Sequence, residues 1–486
     1  MRWHHFLQEH GDTRRLGRRI IGTFQHSVPA SLIRILGALA ASGFILVAVR
    51  HELIPGSGDL SASGRNMLFI LMLAAGLWMT EAIPAFAVSL LVIAMEIAIL
   101  ARPGAAISGD TLSWETFIHP WSSPLIWLFL GGFVLAHAAV KTGLDSIVAR
   151  RIIGLFGNRP HFLLFGVMAV TFVLSMFMSN TATAAMMLAL LGPVINSLQP
   201  SDPYGKGLSL GVAMAAAVGG MGTIIGTPPN AIAAQALSES SPISFLTWMT
   251  IGLPPAVALF LLAWGYLCIR FPARQERIPV EAVMRSQGAT VPAAAPKWNL
   301  FIVLAVFLFV VVMWLFETAH GIPAPVVAFF GIAALSVMGV VTAADMRSLP
   351  WDVLILMAGG LALGAGVEKT GLAQWMVGLI PDDLTGSLLV VLFAVMAVLM
   401  SNFMSNTATA SILVPVVAAF AVGSSQTLVL PVALCCSCAM ILPVSTPPNA
   451  VAFAGGNLKP GDFIPGGILM ALLGPVIIYL WMQIRF

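Results

Sequence analysis

Met178-Ser179-Asn180-Thr181-Ala182-Thr183-Ala184 and Met404-Ser405-Asn406-Thr407-Ala408-Thr409-Ala410 are the same seven residues, met twice in one chain. Each copy lies in strongly apolar sequence, and each is followed by Thr-Pro-Pro-Asn-Ala, at 227–231 and 446–450. Amides and hydroxyls are costly in hydrocarbon unless something binds them, so two matched sets predict a pseudo-symmetric site inside a membrane protein.

Composition agrees with a membrane chain. Of 486 residues, 59% are hydrophobic and 9% charged, against about 25% charged in a soluble domain. Spans of about 20 apolar residues cross a bilayer. Such stretches fall at 31–50, 66–82, 84–102, 123–141, 207–237, 244–271, 298–317, 322–343, 350–369, 428–455 and 464–484, which predicts about eleven crossings. Two further stretches, 161–197 and 388–420, are interrupted centrally by Ser-Asn-Thr and are too long for one helix. They read as re-entrant hairpins, since irregular backbone at membrane depth is tolerated only where protein or a cavity surrounds it.

Charge placement gives the orientation. Arginines 2, 14, 15, 18, 19 and 34 precede the first span; Arg150, Arg151 and Arg159 form a second cluster, and Arg270, Arg274, Arg277, Arg285 and Lys297 a third. The positive-inside rule puts all three in the cytoplasm, with the N-terminus. Loop 370–387, with Asp382 and Asp383, then falls outside, so the hairpins enter from opposite faces. The polar N-terminus lacks the apolar core of a cleavable signal peptide. The basic runs are accounted for by orientation and anionic lipid, without nucleic acid.

The repeat extends beyond the two strings. Ile83-Pro84-Ala85 matches Ile322-Pro323-Ala324, Gly131-Gly132 matches Gly359-Gly360, and Lys141-Thr142-Gly143-Leu144 matches Lys369-Thr370-Gly371-Leu372. The common order predicts a duplication with inverted topology. The expected organisation is a cytoplasmic segment 1–30, a first span and outer loop 31–65, repeat one over 66–240, a span and basic linker 241–299, repeat two over 300–457, and a last span 458–486.

Ser, Asn and Thr cap helix N-termini, and a good helix former follows each tripeptide. Each tip therefore offers free N–H groups and a positive helix end for an anion, beside hydroxyl and carbonyl oxygens for a hard cation. The prolines of Thr-Pro-Pro-Asn forbid helix through the preceding residues, so spans 207–237 and 428–455 are expected to stop near Gly226 or Ser445 and restart near Asn230 or Asn449, with Thr227 and Thr446 as caps. No Arg, Lys, Asp or Glu occurs at 161–201, 208–237 or 384–456. A dianion there would be held by amides, hydroxyls, helix ends and co-bound cations, a natural origin for cation–anion coupling.

Other polar residues read as structural. Glu81, Glu96, Glu317, Asp352, Glu368, Lys141 and Lys369 are expected mainly at span ends, with Glu81 and Glu96 the ones of functional interest. Trp121, Trp248, Trp298, Trp351 and Trp481 are expected in the interfacial belt. Cys268, Cys435, Cys436 and Cys438 are expected as small packing residues rather than soft-metal or redox ligands. An intramembrane enzyme would need a cofactor motif or a nucleophile–base pairing, and neither is present. A channel would not need two occluding hairpins.

Doubled Ser-Asn-Thr hairpins, doubled Thr-Pro-Pro-Asn breaks and about eleven spans resemble the divalent anion:sodium symporter family, nearly throughout the chain from residue 31. The resemblance implies an all-α polytopic transporter of succinate, malate, fumarate, related carboxylates or sulfate, driven by co-transported Na+ in many members and sodium-independent in some exchangers. It implies a homodimer in the bacterial inner membrane. The early spans of each half, 66–141 and 298–369, would be the scaffold, and the hairpins with 207–271 and 428–484 an elevator-like moving unit. Carried over by residue, Ser179, Asn180, Thr181, Ser405, Asn406 and Thr407 would bind carboxylate, and Thr227, Pro228, Thr446 and Pro447 would wall the pocket. One sodium site would use Ser175, Asn180 and Gly226; the other would use Ser401, Asn406, Ser445 and main-chain oxygens near Met404. Ser401 stands where the family often has Thr.

Overall fold

Each apolar stretch marked in the sequence folds as helix, and the two interrupted ones break at the tripeptides. The structure is a computed structural model and describes residues 28–54, 57–101, 112–199, 201–238, 241–278, 297–379, 386–420 and 425–486. Most of the N-terminal basic segment, the linker with Arg285, and the pair Asp382 and Asp383 lie outside the described residues.

The first half comprises α1 (Val28–Arg50), α2 (Ala62–Thr80), α3 (Ala85–Leu100), α4 (Glu115–Ile118), α5 (Pro124–Thr142), α6 (Leu144–Leu155), α7 (Pro160–Ser175), α8 (Asn180–Ser197), α9 (Tyr204–Gly219), α10 (Pro228–Ala236) and α11 (Phe245–Arg270). The second comprises α12 (Lys297–Leu315), α13 (Glu317–His320), α14 (Ala324–Val337), α15 (Ala343–Arg347), α16 (Trp351–Lys369), α17 (Leu372–Gly378), α18 (Gly386–Phe403), α19 (Asn406–Phe420), α20 (Ser425–Cys436), α21 (Pro447–Ala454) and α22 (Pro460–Arg485).

The protein is an all-helical, multi-pass membrane protein. Among the described residues, 8 helices are long and apolar enough to cross a membrane, and shorter apolar helices accompany them. Two expected crossings are shorter than the sequence suggests: α3 has 16 residues and α14 has 14. Both start behind a proline N-cap, Pro84 or Pro323, which sets a hard N-terminal limit. Conversely α18, read as a hairpin arm, has 18 residues and is long enough alone to cross. The arms nevertheless double back: α8 packs along α7, and α19 along α18.

The helices sort into two packed groups. In one, α3 lies on α16 and α5 on α14, so the Ile-Pro-Ala helix of each half packs on the Gly-Gly helix of the other. The glycines permit that approach. A Cβ on Gly131 would sit 2.5 Å from Ala328 Cβ, and one on Gly359 would collide with Ser89. In the other group, α7, α8, α9 and α11 pack together, as do α18, α19, α20 and α22. The groups meet where α16 lies along α19 and against α10.

Outside the spans, Asp345 ties the halves together. It accepts from Lys141 Nζ at 2.5 Å and lies 3.0 Å from His137 Nε2, while Thr342 N donates to it at 2.7 Å. Burial pushes its carboxyl up, but these bonds outweigh burial and hold it well below the usual carboxylate range.

Two expectations about span-end residues change, those for Trp248 and Glu96, while Glu317 keeps its anchoring place at a span end. Trp248 is fully buried, not interfacial. Glu96 is also fully buried, with neither carboxylate oxygen hydrogen-bonded, beside Gly366 and Met67. Glu317 acts as a clamp, accepting from Phe245 N at 3.2 Å and Ala324 N at 3.1 Å.

Candidate substrate and cation site

Four helices begin at the four motif copies: α8 at Asn180, α10 at Pro228, α19 at Asn406 and α21 at Pro447. Their packing is crossed. The helix after the first half's Thr-Pro-Pro-Asn, α10, lies along α19, which starts at the second half's Ser-Asn-Thr. Reciprocally, α21 lies along α8. Each tripeptide helix is thus paired with the proline break of the opposite half, although the strings are far apart in sequence.

The breaks are longer than the prolines alone require. Helix α9 ends at Gly219, with a 3-10 turn over Gly220–Gly222, and α20 ends at Cys436. The expected stops near Gly226 and Ser445 are therefore corrected: residues 223–227 and 437–446 lie outside α-helix. Their carbonyls lack helical partners, and an asparagine in each Pro-Pro-Asn string collects two of them. Asn230 Nδ2 donates to Gly220 O at 2.9 Å and Thr223 O at 2.7 Å. Asn449 Nδ2 donates to Met440 O at 3.2 Å and Leu442 O at 3.0 Å. In the first half Trp248 Nε1 adds a bond to Met221 O at 3.1 Å, and Thr223 Oγ1 donates to Met176 O. Backbone that would otherwise be unsatisfied in the interior is held open in a defined shape.

The first predicted cation set is brought together. Asn180 Oδ1 lies 2.5 Å from Ser175 Oγ, 3.2 Å from Ala216 O and 3.3 Å from Gly226 O. Ser175 Oγ donates to Ala216 O at 2.7 Å, leaving no proton for the other oxygens. With the amide turned so that Nδ2 faces them, its two protons are shared among Ser175 Oγ, Ala216 O and Gly226 O; those same hydroxyl and carbonyl oxygens are of the kind a hard cation takes. The sequence reading omitted Ala216, which has no side-chain oxygen to signal it. Gly220 is close as well: a Cβ there would lie 2.8 Å from Asn180 Oδ1. Replacing Gly220 by Ala would therefore disturb the site itself.

The second set is arranged differently. Ser401, Met404 and Ser445 are buried, and Asn406 is half-buried. Ser401 Oγ and Asn406 Oδ1 make no hydrogen bond, and the polar neighbour of Ser401 is the Cys436 thiol. Ser445 Oγ is engaged elsewhere, donating toward Asn402 O and Oδ1, each at 3.1 Å, and accepting from Leu442 N at 3.0 Å. Unpartnered buried oxygens cost about 1–3 kcal/mol each unless something binds them, which suits a ligand-binding place. Asn402 had not been singled out in the sequence. Its only local signal is a polar residue in an apolar helix.

The anion-facing residues divide in the same way. Ser405 Oγ accepts from Ala408 N at 3.2 Å and Thr446 Oγ1 from Asn449 N at 3.3 Å, both as caps. Ser179 and Thr227 occupy N-cap positions without accepting a side-chain cap bond, which corrects the expected capping by Thr227. Ser179 is exposed, Thr181, Thr407, Ser405 and Pro228 are half-buried, Thr227 and Thr446 buried, and Pro447 exposed. No side chain with a formal charge belongs to these sets. An apolar cavity of about 460 Å³, lined by Val306, Phe309, Met313 and Phe330 among others, lies between α12 and α14 and includes none of the tip residues.

The family match and the sequence relatives agree on one family. The family described as the sodium:sulfate symporter transmembrane region matches residues 37–485. The sodium-dependent dicarboxylate transporter SdcS of Staphylococcus saprophyticus is 32% identical over 459 residues, covering 87% of this chain and 86% of the relative. SdcS of Staphylococcus aureus is 31% identical over 457 residues, with the same coverage. Among solved structures, the YdaH transporter of Alcanivorax borkumensis aligns at a TM-score of 0.48 and 14% identity, over 83% of this chain and 99% of that one.

Proposed function

Because this chain belongs to the sodium:sulfate symporter family of membrane transporters, and is not an enzyme, we propose that it imports C4-dicarboxylates of the succinate, malate and fumarate type together with Na+. The observation that carries this reading is the crossed pairing of four uncharged helix starts, beside a cluster of oxygens around Asn180. Helix N-termini present N–H groups and positive dipole ends to carboxylates. With no basic side chain at hand, the remaining compensation comes from co-bound sodium. Two unit charges about 4 Å apart at an effective dielectric of about 20 attract by about 4 kcal/mol, enough to make each ion's binding depend on the other.

Sodium would bind at Ser175, Asn180 and Gly226 in one half and at Ser401, Met404, Asn406 and Ser445 in the other. Ser179, Asn180, Thr181, Ser405, Asn406 and Thr407 would hold the carboxylates, walled by Thr227, Pro228, Thr446 and Pro447. The halves, 66–240 and 300–457, are read as inverted repeats within about eleven crossings and two re-entrant hairpins. The group containing α7–α11 and α18–α22 would move as an elevator along α16, in a homodimer of the bacterial inner membrane with its N-terminus in the cytoplasm. The relatives named as sodium-dependent dicarboxylate transporters favour this choice of anion and cation.

The test is uptake of radiolabelled succinate into proteoliposomes, with and without an inward sodium gradient, competed by citrate and by sulfate. The expected result is sodium-driven accumulation blocked by unlabelled malate and weakly by sulfate. Counterflow undiminished by replacing sodium with choline would make the protein an exchanger instead.

A further inference from the structure

We propose that Asn402 is a positioning residue that sets the sodium requirement of the second half's cation site, an assignment that rests on the functional reading above. Asn402 lies in α18, four residues before the tip asparagine Asn406, and is 3% exposed. Both ends of its side chain are engaged. Nδ2 donates to Val398 O at 2.8 Å, and Oδ1 accepts from Ile441 N at 3.0 Å and Ser445 Oγ at 3.1 Å. One amide thereby joins the incoming hairpin arm to the non-helical stretch that contributes Ser445.

The first half lacks this device. The residue four places before Asn180 is Met176, whose side chain has no amide. There the arm meets the break through a main-chain oxygen, Met176 O, which accepts from Thr223 Oγ1. Gly226 O remains turned toward Asn180. In the second half the matching ligand, Ser445, has its hydroxyl held by Asn402, while Ser401 Oγ and Asn406 Oδ1 go unpartnered. Asn402 thus fixes the distance between Ser445 and the hairpin arm. Without it, Ile441 N would be left unsatisfied inside the protein and the break would lose its tie to α18. The second site would then have to be ordered by sodium itself, so more sodium would be needed.

The test measures the sodium dependence of succinate uptake in proteoliposomes, with choline replacing sodium, for wild type, Asn402→Met and Asn402→Asp. Asn402→Met installs the first half's residue. It is expected to raise the half-maximal sodium concentration about tenfold, equivalent to about 1.4 kcal/mol, with KM for succinate at saturating sodium unchanged. Asn402→Asp keeps the acceptor for Ile441 N and Ser445 and adds negative charge near the cation. It is expected to bring half-saturation to the wild-type level or below, a rescue that lost packing alone would not show. An unaltered sodium dependence in Asn402→Met overturns the assignment, as does a change in KM at saturating sodium without a change in sodium dependence. If Asn402→Met does not fold, Asn402→Asp decides: a raised sodium requirement overturns the assignment. Wild-type uptake indifferent to sodium would sink the functional reading too, whereas sodium-dependent wild type with an unaltered Asn402→Met would sink only this one.

Discussion

The two halves carry the same strings in the same order, yet the two proposed cation sets are built differently. Around Asn180, the hydroxyl of Ser175 and the carbonyls of Ala216 and Gly226 crowd one amide. Around Asn406, two oxygens have no partner and Ser445 is tied to Asn402. The seam between the packed groups is unequal as well. Helix α16 lies along α19, with a Cβ on Gly360 blocked by Ser411, while the matching pair α5 and α8 has no comparable packing. A duplicated chain that kept full symmetry would have equal seams. Unequal ones are what the proposed elevator, with a moving unit resting against one side of its support, would call for.

The sharpest way to probe this contrast is at the tip asparagines. Asn180→Ala and Asn406→Ala should each cut sodium-driven succinate uptake by about a hundredfold or more, the loss of two charge-assisted bonds. Only Asn180→Ala should also lower the melting temperature in detergent, because three oxygens lose the amide they converge on. Equal melting shifts would erase the distinction between the sets, and near-normal uptake in either variant would remove the site.

A smaller effect is expected at the seam. Gly360→Ala must push Ser411 aside and should cost about 1–3 kcal/mol of stability. In Gly132→Ala the new Cβ meets the end of the Ile225 side chain at 3.3 Å, which can yield. Thermal melting of the pair should rank Gly360→Ala well below Gly132→Ala; equal values would mean the seam is as loose at α16 as at α5. The smallest difference lies in the caps. Thr446→Ala removes a side-chain bond to Asn449 N and should cost about 1 kcal/mol. Thr227→Ala removes no such bond and should melt close to wild type. A cost at Thr227 matching that at Thr446 would show that the first break also relies on its threonine.

Much of this was legible in the chain because the rules involved are local. Pro228-Pro229 and Pro447-Pro448 cannot continue a helix whatever surrounds them, and α10 and α21 begin where those prolines demand. The tripeptides begin α8 and α19 for similarly local reasons. The helix stops differ because Gly219 and the turn Gly220–Gly222 end α9, and the breaks after α9 and α20 are held by the carbonyl contacts of Asn230 and Asn449, earlier than proline requires. Trp248 was read as interfacial because its place in the chain is near a span end. Only its bond to Met221 O shows that it serves the break.

The order of residues alone was enough for a membrane protein whose helix breaks come in two ordered copies inside uncharged sequence, since apolar length, proline and repetition need no knowledge of neighbours. Which tip faces which break, why Gly131 and Gly359 are glycine, and how Asn402 reaches Ser445 came only with the folded chain. Those facts are contacts between residues far apart in sequence, and no local preference specifies the partner on the other side of a contact.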